Sequence, residues 1–282
     1  KARQLALKYA SVYVTFDRTL STATTRQWQV LEATASYLPV LHLGQFPEGD
    51  LRNVLAQAFE DDLEFQVELL RMKEDDLYRQ RIAHRAWRET LLHHTYSHRI
   101  RAICERLGIE HNWEEYPKAS VITPTCRPEM VPDAIDTYRC QTYPERELIL
   151  VYNGQRPAEL PKETQAPDVR VAHVPGDRFA GAALNIGARL ASGSFSFRFD
   201  DDDFYGKNYL LDMMLVLRAV SADVTGKPRP PAYQFEGDVR VFARRKAQKP
   251  FFVALGEQIS KSELDIPGNS VSFKQKGAFS FE

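Results

Sequence analysis

Between residues 48 and 108 the apolar positions recur three and four residues apart: Leu51, Val54 and Leu55, then Leu63, Val67 and Leu70, then Ile82, Trp87, Leu91 and Leu92, then Ile100, Ile103 and Leu107. That spacing lays apolar stripes along α-helices, so the segment is expected to be helical, with Gly108 ending its last helix. Ahead of it, residues 10–14 (Ala-Ser-Val-Tyr-Val) read as a strand, residues 24–37 as a helix and residues 38–43 as a second strand, a βαβ-like beginning. Residues 111–118, with Trp113, Tyr116 and Pro117, read as a connection. The expected division is an α-helix-rich, partial Rossmann-like segment over residues 1–112, a linker over 113–118, and a second domain over 119–282.

In that second domain the pattern changes to short continuous apolar runs separated by helical stretches. Residues 119–123 (Ala-Ser-Val-Ile-Thr) read as a buried strand, followed by a Pro-Thr-Cys-Arg-Pro turn and a helix over 131–140. Residues 147–152 form another apolar run, ending at the turn pair Asn153-Gly154. A third strand over 169–174 precedes a helix over 180–191, and a fourth over 194–199 runs into Asp200-Asp201-Asp202-Asp203. Such alternation predicts an α/β fold, a mostly parallel sheet with helices on both faces and a ligand crevice at the carboxyl ends of the strands. The polar signatures stand at those ends.

Composition narrows the picture without deciding it. With 282 residues, 43% of them hydrophobic, the chain can fill two globular cores. The 37 basic and 38 acidic residues nearly cancel, which argues against a nucleic-acid partner. Cys104, Cys126 and Cys140 cannot all pair and lack metal-ligand spacing, which fits a reducing compartment. A cytoplasmic protein is expected, with peripheral association at the inner face of the membrane left open, since no apolar run approaches the ~20 residues of a membrane span. The chain starts at Lys1 without an initiator methionine and stops at Glu282, and reads as a fragment truncated at its C-terminus.

Chemistry enters with the four aspartates. Adjacent carboxylates at the end of an apolar strand repel one another unless a cation or hydrogen bonds compensate. Carboxylates one residue apart can approach a divalent ion that also bridges diphosphate oxygens. The plain alternative is a solvated acidic turn. For Thr125 and Arg127 the alternative is a turn and helix-capping role, for Asn153-Gly154 an ordinary turn, and for Asn185 a buried hydrogen-bonding role. His173 reads as a structural histidine. His93, His94 and His98 have metal-like spacing but no adjacent acid, and read as a solvated helical face.

Four blocks together, Ser120-Val-Ile-Thr-Pro-Thr-Cys-Arg-Pro, Gln141-Thr-Tyr-Pro-Glu-Arg-Glu-Leu-Ile-Leu-Val, Ala183-Leu-Asn-Ile-Gly-Ala and Phe199-Asp-Asp-Asp-Asp, resemble the successive motifs of family 2 glycosyltransferases. The resemblance implies the GT-A fold and a metal-dependent transfer of a sugar from a nucleotide-sugar. It implies that Pro124, Thr125 and Arg127 line the nucleotide and that the end of the second strand, at Asn153, meets base or ribose. The family usually has an acidic pair there, so base recognition departs from its pattern. Asn185 would lie near the diphosphate. Asp200 and Asp202 match the family's Asp-x-Asp and would hold Mn²⁺ or Mg²⁺, with Asp202 the direct ligand, Asp200 on ribose or metal, Asp201 on the donor, and Asp203 in support.

Transfer in this family is commonly inverting, with a carboxylate base after a Gly-rich acceptor loop. Gly268-Asn-Ser-Val-Ser-Phe resembles the start of that loop; Glu257, Glu263, Asp265 and Glu282 are the acids at hand, and the base is expected among them or beyond Glu282. A second resemblance covers the first segment. Residues 26–41, with His94-Thr-Tyr-Ser-His-Arg, resemble the end of a GT-B glycosyltransferase of the spore-protein-like type, where Glu32 would match a ribose-contacting glutamate. Half of a two-lobed fold cannot form an interlobe site, so residues 1–112 are expected to be a docking or structural element. The expected activity belongs to surface-polysaccharide biosynthesis, with a nucleotide-sugar donor, UDP-sugars foremost, and a glycan or lipid-linked acceptor. The alternative is a nucleotide- or glycan-binding module that kept the fold without a complete active site.

Overall fold

The computed structural model describes residues 2–16, 23–44, 57–113, 116–154, 157, 159–175, 180–220, 224–226, 235–236, 240–241, 251–253 and 271–274. The chain divides into two units, Lys1–Trp113 and Glu114–Glu282.

In the first unit, helix α1 (Ala2–Tyr9) leads into strand β1 (Tyr13–Phe16), helix α2 (Ala23–Ala35) and strand β2 (Val40–Leu43). β1 and β2 pair in parallel, so the βαβ expectation holds. A further strand, β3 (Gln57–Phe59), pairs in parallel with β2 inside the stretch expected to be helical. Three residues are too short to show a period, which is why the apolar spacing around them concealed it. Leu51, Val54 and Leu55 lie outside the described residues. Three helices follow: α3 (Asp62–Glu74), α4 (Asp76–His93) and α5 (Tyr96–Leu107), and Gly108 ends the last in the left-handed conformation, φ 66°. Asp61 caps α3 by accepting from the Leu63 and Glu64 amides at 2.8 and 2.9 Å. The His98 imidazole folds back onto Thr95, with Nδ1 2.7 Å from the hydroxyl oxygen at the start of α5. On α3 the buried side is Phe65, Glu68 and Met72, whereas Leu63, Val67 and Leu70 face solvent.

Among its described residues, the second unit is built on a seven-stranded sheet. Strands β4 (Ala119–Thr125), β5 (Arg146–Asn153), β6 (Val169–Val174) and β7 (Phe195–Arg198) are parallel to one another. Beyond β7 the sheet turns antiparallel through β12 (Val271–Lys274), β8 (Val224–Gly226) and β11 (Phe251–Val253). Strands β9 (Phe235–Glu236) and β10 (Arg240–Val241) form a separate antiparallel pair.

Alternate residues of the central strands serve two cores, as strands covered on both faces require. Val121, Leu148, Leu150 and Tyr152 pack with helices α6 (Val131–Arg139) and α8 (Tyr209–Ala219). Ile122, Ile149 and Val151 pack with helix α7 (Ala180–Leu190) on the opposite face. Gly187 lets α7 approach β4 closely: a Cβ there would stand 2.3 Å from Ile122 Cγ2. At the amino-terminal edge of β5, Glu147 is 2% exposed and gathers the Ser120 hydroxyl at 2.6 Å, the Ser192 amide at 2.6 Å and the Lys118 ammonium at 3.0 Å.

Strand order also locates a crevice. The chain runs from β4 outward to β5 and β6, then returns to place β7 on the other side of β4. Connections therefore leave β4 and β7 in opposite directions, and a gap opens between their carboxyl ends.

Candidate functional site

That gap is a cleft of about 250 Å³ lined by Pro124 and Thr125 at the end of β4, Cys126 and Arg127 just after it, Asn153 at the end of β5, Ala180 at the start of α7, Arg198 at the end of β7, and Asp200, Asp201 and Asp202 just beyond. Two of the four sequence blocks, those beginning at Ser120 and Phe199, meet in it, joined by Asn153, which lies two residues past the end of the block beginning at Gln141. Asn185 does not line it: it lies half-buried more than a turn into α7, whose first residue, Ala180, reaches the cleft instead.

The three cleft-lining aspartates have separate surroundings. Asp200 is gripped by Arg198, Nε at 2.7 Å and Nη2 at 3.1 Å, and its amide donates to the Tyr205 hydroxyl at 3.0 Å. Burial pushes its carboxyl above the usual carboxylate range, Arg198 opposes that, and the neighbouring Asp203 and Asp202 charges add to it. Asp201 is 6% exposed and turned inward, accepting from the Thr125 hydroxyl at 2.5 Å and from Arg127 Nε at 3.3 Å, with Arg127 Nη2 on its other oxygen. Asp202 has its side chain 52% exposed, with Oδ2 3.0 Å from Arg127 Nη2. The Arg127 guanidinium is held firmly in its charged form, chiefly by its bonds to Asp201 and then to Asp202.

A stack of rings and one amide hold this loop. Tyr205 lies flat on Phe199 at 3.9 Å and edge-on to Tyr209 at 5.0 Å. Buried Gln141, just past α6, donates through Nε2 to the Tyr205 and Gly206 carbonyls, both at 3.2 Å, and accepts from the Leu210 amide at 3.0 Å. It thereby also satisfies an otherwise unpaired amide at the start of α8. On the opposite rim Gly154 adopts φ 124°, a backbone conformation suited to glycine, and its carbonyl meets His173 Nε2 at 2.6 Å. Among the described residues, the buried Asn153 Oδ1 has no hydrogen-bond partner.

Sequence reasoning missed Arg198, Gln141, Cys126 and Tyr205. Arg198 had a usable signal, since two residues along a strand end place it on the same side as Asp200. Gln141 stood within a quoted block without a role. No three His, Cys, Asp or Glu among the described residues converge tightly enough to hold a metal alone. Asp202, half-exposed on the cleft, nevertheless suits Mg²⁺ or Mn²⁺ as a hard oxygen donor, and Asp200 can join it only where Arg198 yields one of the two oxygens it holds; such ions complete their shells with phosphate oxygens and water. The expected base candidates Glu257, Glu263, Asp265 and Glu282 lie outside the described residues. No described helix is long and apolar enough to cross a membrane.

Among solved structures, the chain is similar to S. aureus TarS 1–349, with 20% identity and a TM-score of 0.43 over 56% of this chain and 47% of that one. It is also similar to the mannosyltransferase PcManGT from Pyrobaculum calidifontis in complex with GDP-Man and Mn²⁺, with 18% identity and a TM-score of 0.36 over 53% and 46%. The chain spans less than half the length of either, and likenesses this slight do not bear on the argument. No curated protein matches the chain. The model of Glycosyl transferase family 2 matches residues 120–270, a span that includes every residue lining the cleft and more than half of the chain, so the chain belongs to that family.

Proposed function

We propose that the cleft between the ends of β4 and β7 binds a nucleotide-sugar and that the protein transfers its sugar, with inversion, to a glycan or lipid-linked acceptor of surface-polysaccharide synthesis. One observation carries this reading: the end of β4 with the loop after it and the aspartates after β7 converge where the order of the parallel strands reverses. Asp202, exposed on the cleft, and Asp200 would hold Mg²⁺ or Mn²⁺, and the ion when bound would neutralise the departing nucleoside diphosphate. Thr125 and buried Asp201 shape the wall against which the nucleotide lies. Arg127 supplies positive charge to the phosphates. Asn153, at the edge of the cleft with an orphaned acceptor, offers a carbonyl oxygen to a base or ribose donor, with UDP-sugars the first candidates.

Calorimetric titration with UDP, GDP, CMP and TDP, each with and without Mn²⁺, tests the proposal. Binding of one nucleotide only in the presence of the metal is the expected outcome. Absence of binding to all four would remove the donor-site reading. Binding without transfer to any acceptor would favour the non-catalytic module.

A further inference from the structure

Arg127 serves two carboxylates with one guanidinium, and the two differ in how firmly they can hold it. Asp201 is buried, is hydrogen-bonded by Thr125 at 2.5 Å, and engages Arg127 through both its oxygens. Asp202 has its side chain half-exposed on the cleft and touches the same Nη2 through Oδ2 alone, at 3.0 Å. Exchange at Asp201 would strand a buried charge, whereas exchange at Asp202 would not. The guanidinium therefore has a fixed anchor and a releasable contact.

We propose that Arg127 is a latch on the metal site: its guanidinium occupies Asp202 until a divalent cation displaces it, and it then turns toward the diphosphate while still anchored on Asp201. This rests on the donor-site reading above. A guanidinium and a divalent cation cannot share one carboxylate oxygen without strong repulsion, so the metal has to break the contact at 3.0 Å. The diphosphate attracts the same guanidinium away from Asp202. Each ligand thus removes part of the obstacle to the other, and the coupling works equally in both directions. The Arg127 contact offsets part of the charge on Asp201 and Asp202, as Arg198 offsets that on Asp200.

The test measures Mn²⁺ binding through the electron-spin-resonance signal of the unbound ion, with and without UDP. It compares the wild-type chain, Arg127→Met and the double variant Arg127→Met/Asp201→Asn, the last leaving no unpaired buried carboxylate should the single variant fold poorly. Without nucleotide, both variants are expected to bind Mn²⁺ about two- to fivefold more tightly than wild type, the range set by a partly exposed ion pair. UDP should then raise Mn²⁺ affinity by a smaller factor in the variants than in wild type. Unchanged or weaker Mn²⁺ binding in the nucleotide-free variants would overturn the latch, and so would an undiminished effect of UDP. Wild-type protein that bound neither Mn²⁺ nor UDP, alone or together, would instead remove the donor site and the latch with it.

Discussion

Asp200, Asp201 and Asp202 are identical side chains in consecutive positions, yet they face different tasks. Asp201 is turned inward to Thr125 and Arg127, Asp200 is gripped by Arg198, and Asp202 stands exposed on the cleft. If Asp202 is the direct metal ligand, Asp202→Asn should weaken metal-dependent nucleotide binding by about tenfold or more, since even groups supporting a metal ligand are worth that much. The neutral amide keeps the shape, so the thermal unfolding midpoint should hardly move. Parallel titrations and melts decide it; unchanged nucleotide affinity would assign Asp202 to the solvated turn. The Asp-x-Asp spacing was legible in the sequence. The inward turn of Asp201 was not, because it depends on a partner 74 residues away.

At the scale of elements, the site depends on how the loop between β7 and α8 is held against the end of α6. Gln141 makes that connection with a single buried amide, bonded to two carbonyls and one backbone amide of the loop and helix. Gln141→Leu keeps the volume but leaves those buried groups unpaired, at a cost of about 2–3 kcal/mol. Urea unfolding of the variant should show that loss, and nucleotide titration should show weaker binding although Gln141 does not line the cleft. Full stability with lost binding would move Gln141 into the binding surface itself. The elements were largely readable: β4, α6, β5, β6, α7 and β7 were each anticipated from apolar runs and turn residues. The antiparallel pairing of β12 with β7 was not, since pairing direction in a short strand depends on which neighbour reaches it.

Across the whole molecule, the two units have separate cores, and the stability of the second responds to acid through Glu147. Burial would raise that carboxyl, but the bonds from Ser120, the Ser192 amide, Lys118 and the Ser192 hydroxyl outweigh it and hold it at about 2, against an ordinary 4.5. A folded-state value below the unfolded one stabilises fully above about pH 4.5, and that contribution is lost as the pH falls towards 2. Glu147→Gln should therefore lower stability at pH 7 by on the order of 2 kcal/mol. It should also flatten the decline between pH 4.5 and 2 in denaturant melts followed on the second unit. A variant with the same acid limb as wild type would show that other carboxylates govern it. Glu147 lies at the amino ends of the strands, opposite the cleft, so this loss should leave nucleotide affinity nearly unchanged.

The sequence by itself determined the local matters: helices from three- and four-residue spacing, buried strands from continuous apolar runs, the stop at Gly108, and the positions of polar groups at strand ends. Each depends on neighbours within a few residues, where backbone geometry leaves little choice. Tertiary structure decided which face each element buries. Leu63, Val67 and Leu70 announced α3, yet Phe65 and Met72 are the residues that turn inward, because both stripes are apolar and only the sheet beside them selects one. It also decided the partners of the charges. That Arg127 meets Asp201 and Asp202, and Arg198 meets Asp200, follows from strand order, which sets distant chain segments side by side.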